Sequence, residues 1–123
     1  MDLTKSQIRY LIAIYRLTVD DNGVSSAKIA QELRISRPSV SRMLEELCRR
    51  EVIQKAKYGA VFLTPLGREV GSICHYRMIR LTEELEKTLL LTPDIASKAA
   101  LAAICEMLWD LEGNQSQNDA TFK

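Results

Sequence analysis

Apolar residues recur at helical spacing through Ile8, Leu11, Ile12, Tyr15 and Leu17, behind a Thr4-Lys-Ser-Gln7 capping box. They predict a first helix that the Asp20-Asp21-Asn22-Gly23 turn brings to an end. Ile29, Ala30 and Leu33 mark the inner face of a short second helix from about Ser26 to Leu33, and Arg34-Ile35 makes a tight turn. A third helix then opens on Ser36, an N-cap residue, with Pro38 in its first turn, where a missing N–H costs nothing. Val40, Met43, Leu44 and Leu47 form its apolar stripe. The period changes to that of strands over Val52–Lys55 and Ala60–Leu63, separated by Lys57-Tyr58-Gly59, and Thr64-Pro65 closes the hairpin. Helical spacing resumes from Leu66 to about Leu91, stops at Thr92-Pro93, and resumes in an Ala- and Leu-dense stretch from about Asp94 to Leu111.

Helix, turn, capped helix and basic hairpin, in that order, spell a winged helix-turn-helix. The expected fold class is mainly α: a winged helix-turn-helix domain over residues 1–65, a helical dimerisation region over 66–112, and a polar, disordered tail over 113–123.

Composition narrows the function. The chain has 123 residues, 46% of them hydrophobic and 27% charged, enough for one small core in a water-soluble protein. The residues before Thr4 are too few and too polar for a signal peptide, and no apolar run approaches the ~18 residues that a membrane helix requires. A cytoplasmic location with no membrane partner is the expectation. Cys48, Cys74 and Cys105 are odd in number and far apart, which argues against a disulfide framework and against a structural zinc site. The net charge of +1 hides an asymmetry: residues 1–60 carry 11 Lys and Arg against 7 acids, and residues 61–123 carry 6 against 9. The N-terminal half is the one suited to a polyanion. No Gly-rich phosphate loop, no Ser-His-Asp set and no paired carboxylates in an apolar frame point to an enzyme.

The first turn of a helix lying in the major groove is where side chains meet base edges. Ser36, Arg37, Pro38, Ser39, Ser41 and Arg42 occupy that turn and the next. Arg42 suits a guanine or a phosphate, Arg37 a phosphate, the serines either, and Pro38 an apolar contact such as a thymine methyl. Lys55, Lys57 and Tyr58 equip the hairpin to touch the minor groove or the backbone. Double-stranded DNA is the expected partner.

With these pieces in place, the chain resembles the metal-dependent repressors of the diphtheria toxin repressor and manganese transport regulator family. The resemblance rests on Tyr10-Leu-Ile-Ala-Ile-Tyr15, Val24-Ser-Ser-Ala-Lys-Ile-Ala30, Ser36-Arg-Pro-Ser-Val-Ser41, Leu63-Thr-Pro-Leu-Gly67 and Tyr76-Arg77, and runs over about residues 4–111. It implies a homodimeric repressor whose two reading helices span a palindromic operator, with the helices after the wing forming the dimer interface. It also implies a divalent Mn or Fe that switches DNA binding on.

The ligand positions implied by the family are largely replaced. Arg9 stands where the family has an acid or Met, Ile12 where manganese-responsive members have Glu, and Met78 where a His follows Tyr-Arg. The closing ligand motif falls on Ala102-Ala103-Ile104-Cys105-Glu106. Met78, Cys105 and Glu106 are the donors left, a poor set for a hard ion. Two readings follow: the Arg9 guanidinium replaces the metal and pairs with Glu106, or Arg9 faces solvent and apolar side chains fill the former site. A relocated site from Cys74, His75 and Cys105 is a third. Metal control is thus expected to be altered or lost. The competing functions are a multiple-drug-resistance type winged-helix regulator sensing a small organic ligand, although the chain before helix two is short for one, and a winged-helix protein-interaction adaptor.

Overall fold

The computed structural model describes residues 3–18 and 22–113. Its elements are α1 (Lys5–Leu17), β1 (Val24–Ser25), α2 (Ser26–Leu33), α3 (Arg37–Arg49), β2 (Ile53–Lys55), β3 (Ala60–Leu63), α4 (Pro65–Leu89) and α5 (Pro93–Gly113). The expected tail beyond Gly113 and the Asp20-Asp21 part of the first turn lie outside the described residues. No helix among the described residues is long and apolar enough to cross a membrane.

The chain divides into two compact units, one of Gln7–His75 and one of Met1–Ser6 with Tyr76–Lys123. The first is the winged unit, and it continues ten residues beyond the boundary expected at residue 65. The reason is close packing at the start of α4. A Cβ on Gly67 would run into the carbonyl oxygen of Val52, and one on Gly71 would lie 3.1 Å from Cβ of Tyr15. Only glycine lets the helix backbone approach so closely, so the first turns of α4 belong with the wing.

Capping fixes the helix boundaries in the winged unit. Ser25 Oγ accepts from Lys28 N at 3.1 Å and starts α2, and Arg34, at φ 56°, ends it in the left-handed conformation with Ile35 N donating to Ala30 O. Ser36 Oγ accepts from Ser39 N and starts α3. Thr64 has two roles. Its hydroxyl donates to Glu51 O at 2.6 Å, and its oxygen accepts from Gly67 N at 3.0 Å, capping α4 while holding it against the wing.

The sheet has the order β1-β3-β2, all antiparallel, with Val24 opposite Val61 and Ile53 opposite Leu63. The two-residue β1 is absent from the sequence expectation, because two residues are too few to show a period. The wing turn matches it: Gly59 has φ 85°, its N–H donates to Ala56 O, and Ala56 N donates to Ala60 O at 2.7 Å. Ile8, Leu11, Ile14, Ile29, Val40, Leu44, Leu47, Val52, Ile53 and Val61 are fully buried and make the core. α1 buries more of its circumference than its stripe predicted, since Gln7, Tyr10 and Ala13 are also covered. Met43, expected inside, is half-buried.

In the second unit, Thr92 caps α5 through Ile95 N, and Ala96, Ala100 and Ile104, four residues apart, form its buried line. Tyr76, Ile79, Leu89, Leu90, Ile95 and Met107 remain exposed.

Gly67→Ala forces α4 off the wing, and the expected loss is about 3 kcal/mol, at the upper end for overpacking. Urea denaturation of the two proteins measures it; a loss under about 0.5 kcal/mol, the range of ordinary surface changes, would show that the close approach carries no constraint.

Candidate nucleic-acid interface

Val40, Leu44 and Leu47 are completely buried and hold one face of α3 against the core. Residues two positions away point the opposite way, because each step turns the helix by about 100°. Pro38, Arg42, Glu45 and Arg49 therefore form the outward crest, with Glu46 at its flank turned toward Gln7 of α1, and all five are exposed. Arg37 and Ser41 flank it and are exposed too, and Ser39 is half-buried.

The expected contact residues are not equally free. Ser36 spends its hydroxyl on the cap, accepting from Ser39 N at 3.4 Å and donating to Ser39 Oγ at 2.9 Å. Both serines thus stabilise the helix start. Arg37, Ser41 and Arg42 make no hydrogen bond or ion pair with any described residue and are available to a ligand. On the wing, Lys55 and Lys57 are exposed, and Tyr58, at the hairpin tip, is 95% exposed. Arg34 and Arg49 add exposed cations outside the first turn of α3. For Arg49 the signal was present in the i, i+4, i+7, i+11 spacing from Pro38.

The residues tied to metal control are distributed differently. Arg9 is exposed, and its Nη2 donates to Leu33 O at 3.4 Å, a cation at the carbonyl end of α2. That contact lays the Arg9 guanidinium against α2, within the winged unit. Glu106, in the other unit, is exposed as well. Cys105 is half-buried; burial pushes its thiol pKa up, the Glu106 charge adds to that, and Lys5 opposes it. Met78 is half-buried, and Ile12 sits in the core. Of the relocated set, Cys74 is buried and His75 rests against Tyr15, ring centroids 5.3 Å apart at 51°. Burial, and then Arg16, lower the His75 pKa. Among the described residues no three His, Cys, Asp or Glu side chains come together as a metal site. The donors present do not fit a hard divalent ion, which takes several oxygens or imidazoles.

An apolar groove of about 620 Å³ lies in the second unit, lined by Tyr76, Arg77, Arg80, Leu81, Ala103 and Met107, with Glu84 at its edge. Its lining is almost wholly apolar, and Arg80 and Glu84 approach to 3.9 Å beside it.

Comparison with known proteins agrees with the winged unit. Residues 2–61 match the family described as iron dependent repressor, N-terminal DNA binding domain. The HTH-type transcriptional regulator MntR of Geobacillus kaustophilus is 32% identical over 74 residues, which cover 60% of this chain and 52% of that protein. The solved manganese regulator SloR aligns with a TM-score of 0.71 at 26% identity, over 83% of this chain and 47% of that one. MepR, a transcription regulator of the Staphylococcus aureus multidrug efflux pump MepA, aligns with a TM-score of 0.53 at 26% identity, over 90% of this chain and 81% of that one. The chain spans about half the length of the curated relatives it matches. Through its winged domain, the chain belongs to the iron-dependent repressor family.

Proposed function

We propose that the protein is a sequence-specific DNA-binding transcriptional regulator, a repressor of the metal-dependent type, that binds a palindromic operator as a homodimer and has lost metal control. The observation that carries the DNA reading is the crest of α3. Its arginines Arg42 and Arg49, with Arg37 beside them, are exposed and make no side-chain hydrogen bond or ion pair with any described residue, on a helix whose opposite face is anchored in the core. A lattice of phosphates and guanine edges is the natural complement of such a row. Ser41 and Pro38 add a donor and an apolar contact, and Lys55, Lys57 and Tyr58 extend the same chemistry to the wing. Ser36 and Ser39 act chiefly by holding the helix start, whose positive dipole end favours a phosphate.

The homodimer is supported by the apolar groove and by Leu89, Leu90 and Ile95, which are 60%, 85% and 52% exposed. A water-exposed cluster of that kind favours a protein partner, and a second copy supplies the same face. Loss of metal control is supported by the donor set: Met78, Cys105 and Glu106 offer one thioether, one thiol and one carboxylate, too few oxygens or imidazoles for a hard ion.

A second reading draws on the same groove. Together with the MepR likeness, it supports a regulator released from DNA by a small apolar molecule seated along Tyr76, Leu81 and Met107. A ligand that loosens DNA binding without entering the winged unit would favour it. Neither reading requires an adaptor role, which leaves the row of free arginines without a purpose.

Alanine variants test the DNA reading. Arg42→Ala should weaken binding to the protein's own promoter by about tenfold or more. Lys57→Ala should weaken all DNA alike and lower the slope of log affinity against log salt by about 1. Unchanged affinities for both variants would overturn the interface. Glu106→Gln separates the two accounts of Arg9. With Arg9 facing solvent, stability and DNA affinity stay as they are, whereas a buried Arg9–Glu106 pair would cost ~3–5 kcal/mol on losing its carboxylate. The expected outcome is no change, read by thermal denaturation and DNA titration.

A further inference from the structure

We propose that Glu45 is a base-specificity determinant that accepts a hydrogen bond from the amino group of a cytosine in the major groove. The inference rests on the DNA-binding reading above and assigns one residue of that surface a chemistry of its own.

Glu45 stands in the middle of the outward crest, one turn after Arg42 and one turn before Arg49. It is exposed, and it makes no hydrogen bond or ion pair with a described residue, although both arginines lie within reach of an intrahelical pair. The neighbouring acid is placed otherwise: Glu46 points toward α1, where Gln7 Nε2 donates to its Oε2 at 3.4 Å. On α2, Glu32 is neutralised by Arg16 at 2.7 Å. Glu45 alone among these three presents an uncompensated carboxylate on the face that meets the groove.

A carboxylate there opposes binding to any duplex, because the phosphates surround it with negative potential. It becomes favourable only opposite a donor. The major-groove edges offer two amino donors, on cytosine and on adenine. Adenine carries an acceptor nitrogen beside its amino group and repels a second anion, whereas cytosine has only a C–H there. The guanine paired with that cytosine, or one at the next step, presents the two acceptors that suit a guanidinium. Arg42, Glu45 and Arg49, in that order on one crest, therefore match a G·C-rich run read as acceptor, donor, acceptor. The glutamate lowers affinity for wrong sequences as well as raising it for the right one, which is how discrimination is obtained from a surface otherwise dominated by sequence-blind cations.

The test is a competition titration, by fluorescence anisotropy at one salt concentration, of promoter DNA and duplexes replacing each base pair of its site in turn. Wild type, Glu45→Ala and Glu45→Gln are compared. Wild type should lose about tenfold in affinity when one particular C·G pair is replaced. Glu45→Ala should lose that discrimination at that position alone, and Glu45→Gln should shift it toward adenine, which a carboxamide reads by two hydrogen bonds. Both variants should bind random DNA more tightly than wild type. If the variants tighten on every duplex equally and the profile stays the same, Glu45 merely repels phosphates and the inference is overturned. If wild type binds no duplex, the DNA-binding reading falls, and this inference with it.

Discussion

Three completely buried side chains, Val40, Leu44 and Leu47, decide which way α3 faces, and the rest of the winged unit is arranged around that choice. Burying a valine and two leucines contributes several kcal/mol, each worth roughly 1.5–3 kcal/mol. Rotating the helix by one position would forfeit most of that and drive a glutamate, Glu45 or Glu46, toward the core. The outward register of Pro38, Arg42, Glu45 and Arg49 is therefore as firmly set as the core itself.

The wing obeys a second constraint of the same kind. The carbonyl of Val52 accepts from Thr64 N at 3.1 Å and has Gly67 directly against it, so β2, the end of β3 and the start of α4 share one point. That point fixes the angle at which the hairpin leaves the unit and thus where Lys57 and Tyr58 are carried. Gly71 continues the close approach one turn later, against Tyr15. Structural glycines and exposed cations therefore serve one purpose at different distances from the ligand.

Much of this was legible in the sequence, for identifiable reasons. Ser36 before Pro38 is a strong local signal for a helix start, and the 4-3 spacing of Val40, Leu44 and Leu47 is a strong one for its buried face; both act within a single turn or two. Lys57-Tyr58-Gly59 announced the hairpin because a positive φ favours Gly59. Less legible were features that depend on partners distant in sequence. β1 exists only because Val24 and Ser25 lie against β3, and the covered Gln7 and Tyr10 of α1 depend on elements packed around them. Arg9 drew attention as an arginine at a position where the resembling family has an acid or Met. Its contact, the carbonyl end of α2, is a tertiary fact that no local pattern encodes. Glu45 was visible as a surface residue, yet its significance comes from the absence of a partner among its neighbours.

On this reading, the α3 surface binds DNA without a metal ion. The most direct measurement is a fluorescence anisotropy titration of promoter DNA with the full chain, first in chelator and then with added Mn(II) or Fe(II). Tight, salt-sensitive binding in chelator, unchanged by either ion, is what the donor set and the free arginines of α3 predict. Binding that appears only after metal is added would contradict the account, and would place a functioning metal switch among ligands other than Met78, Cys105 and Glu106.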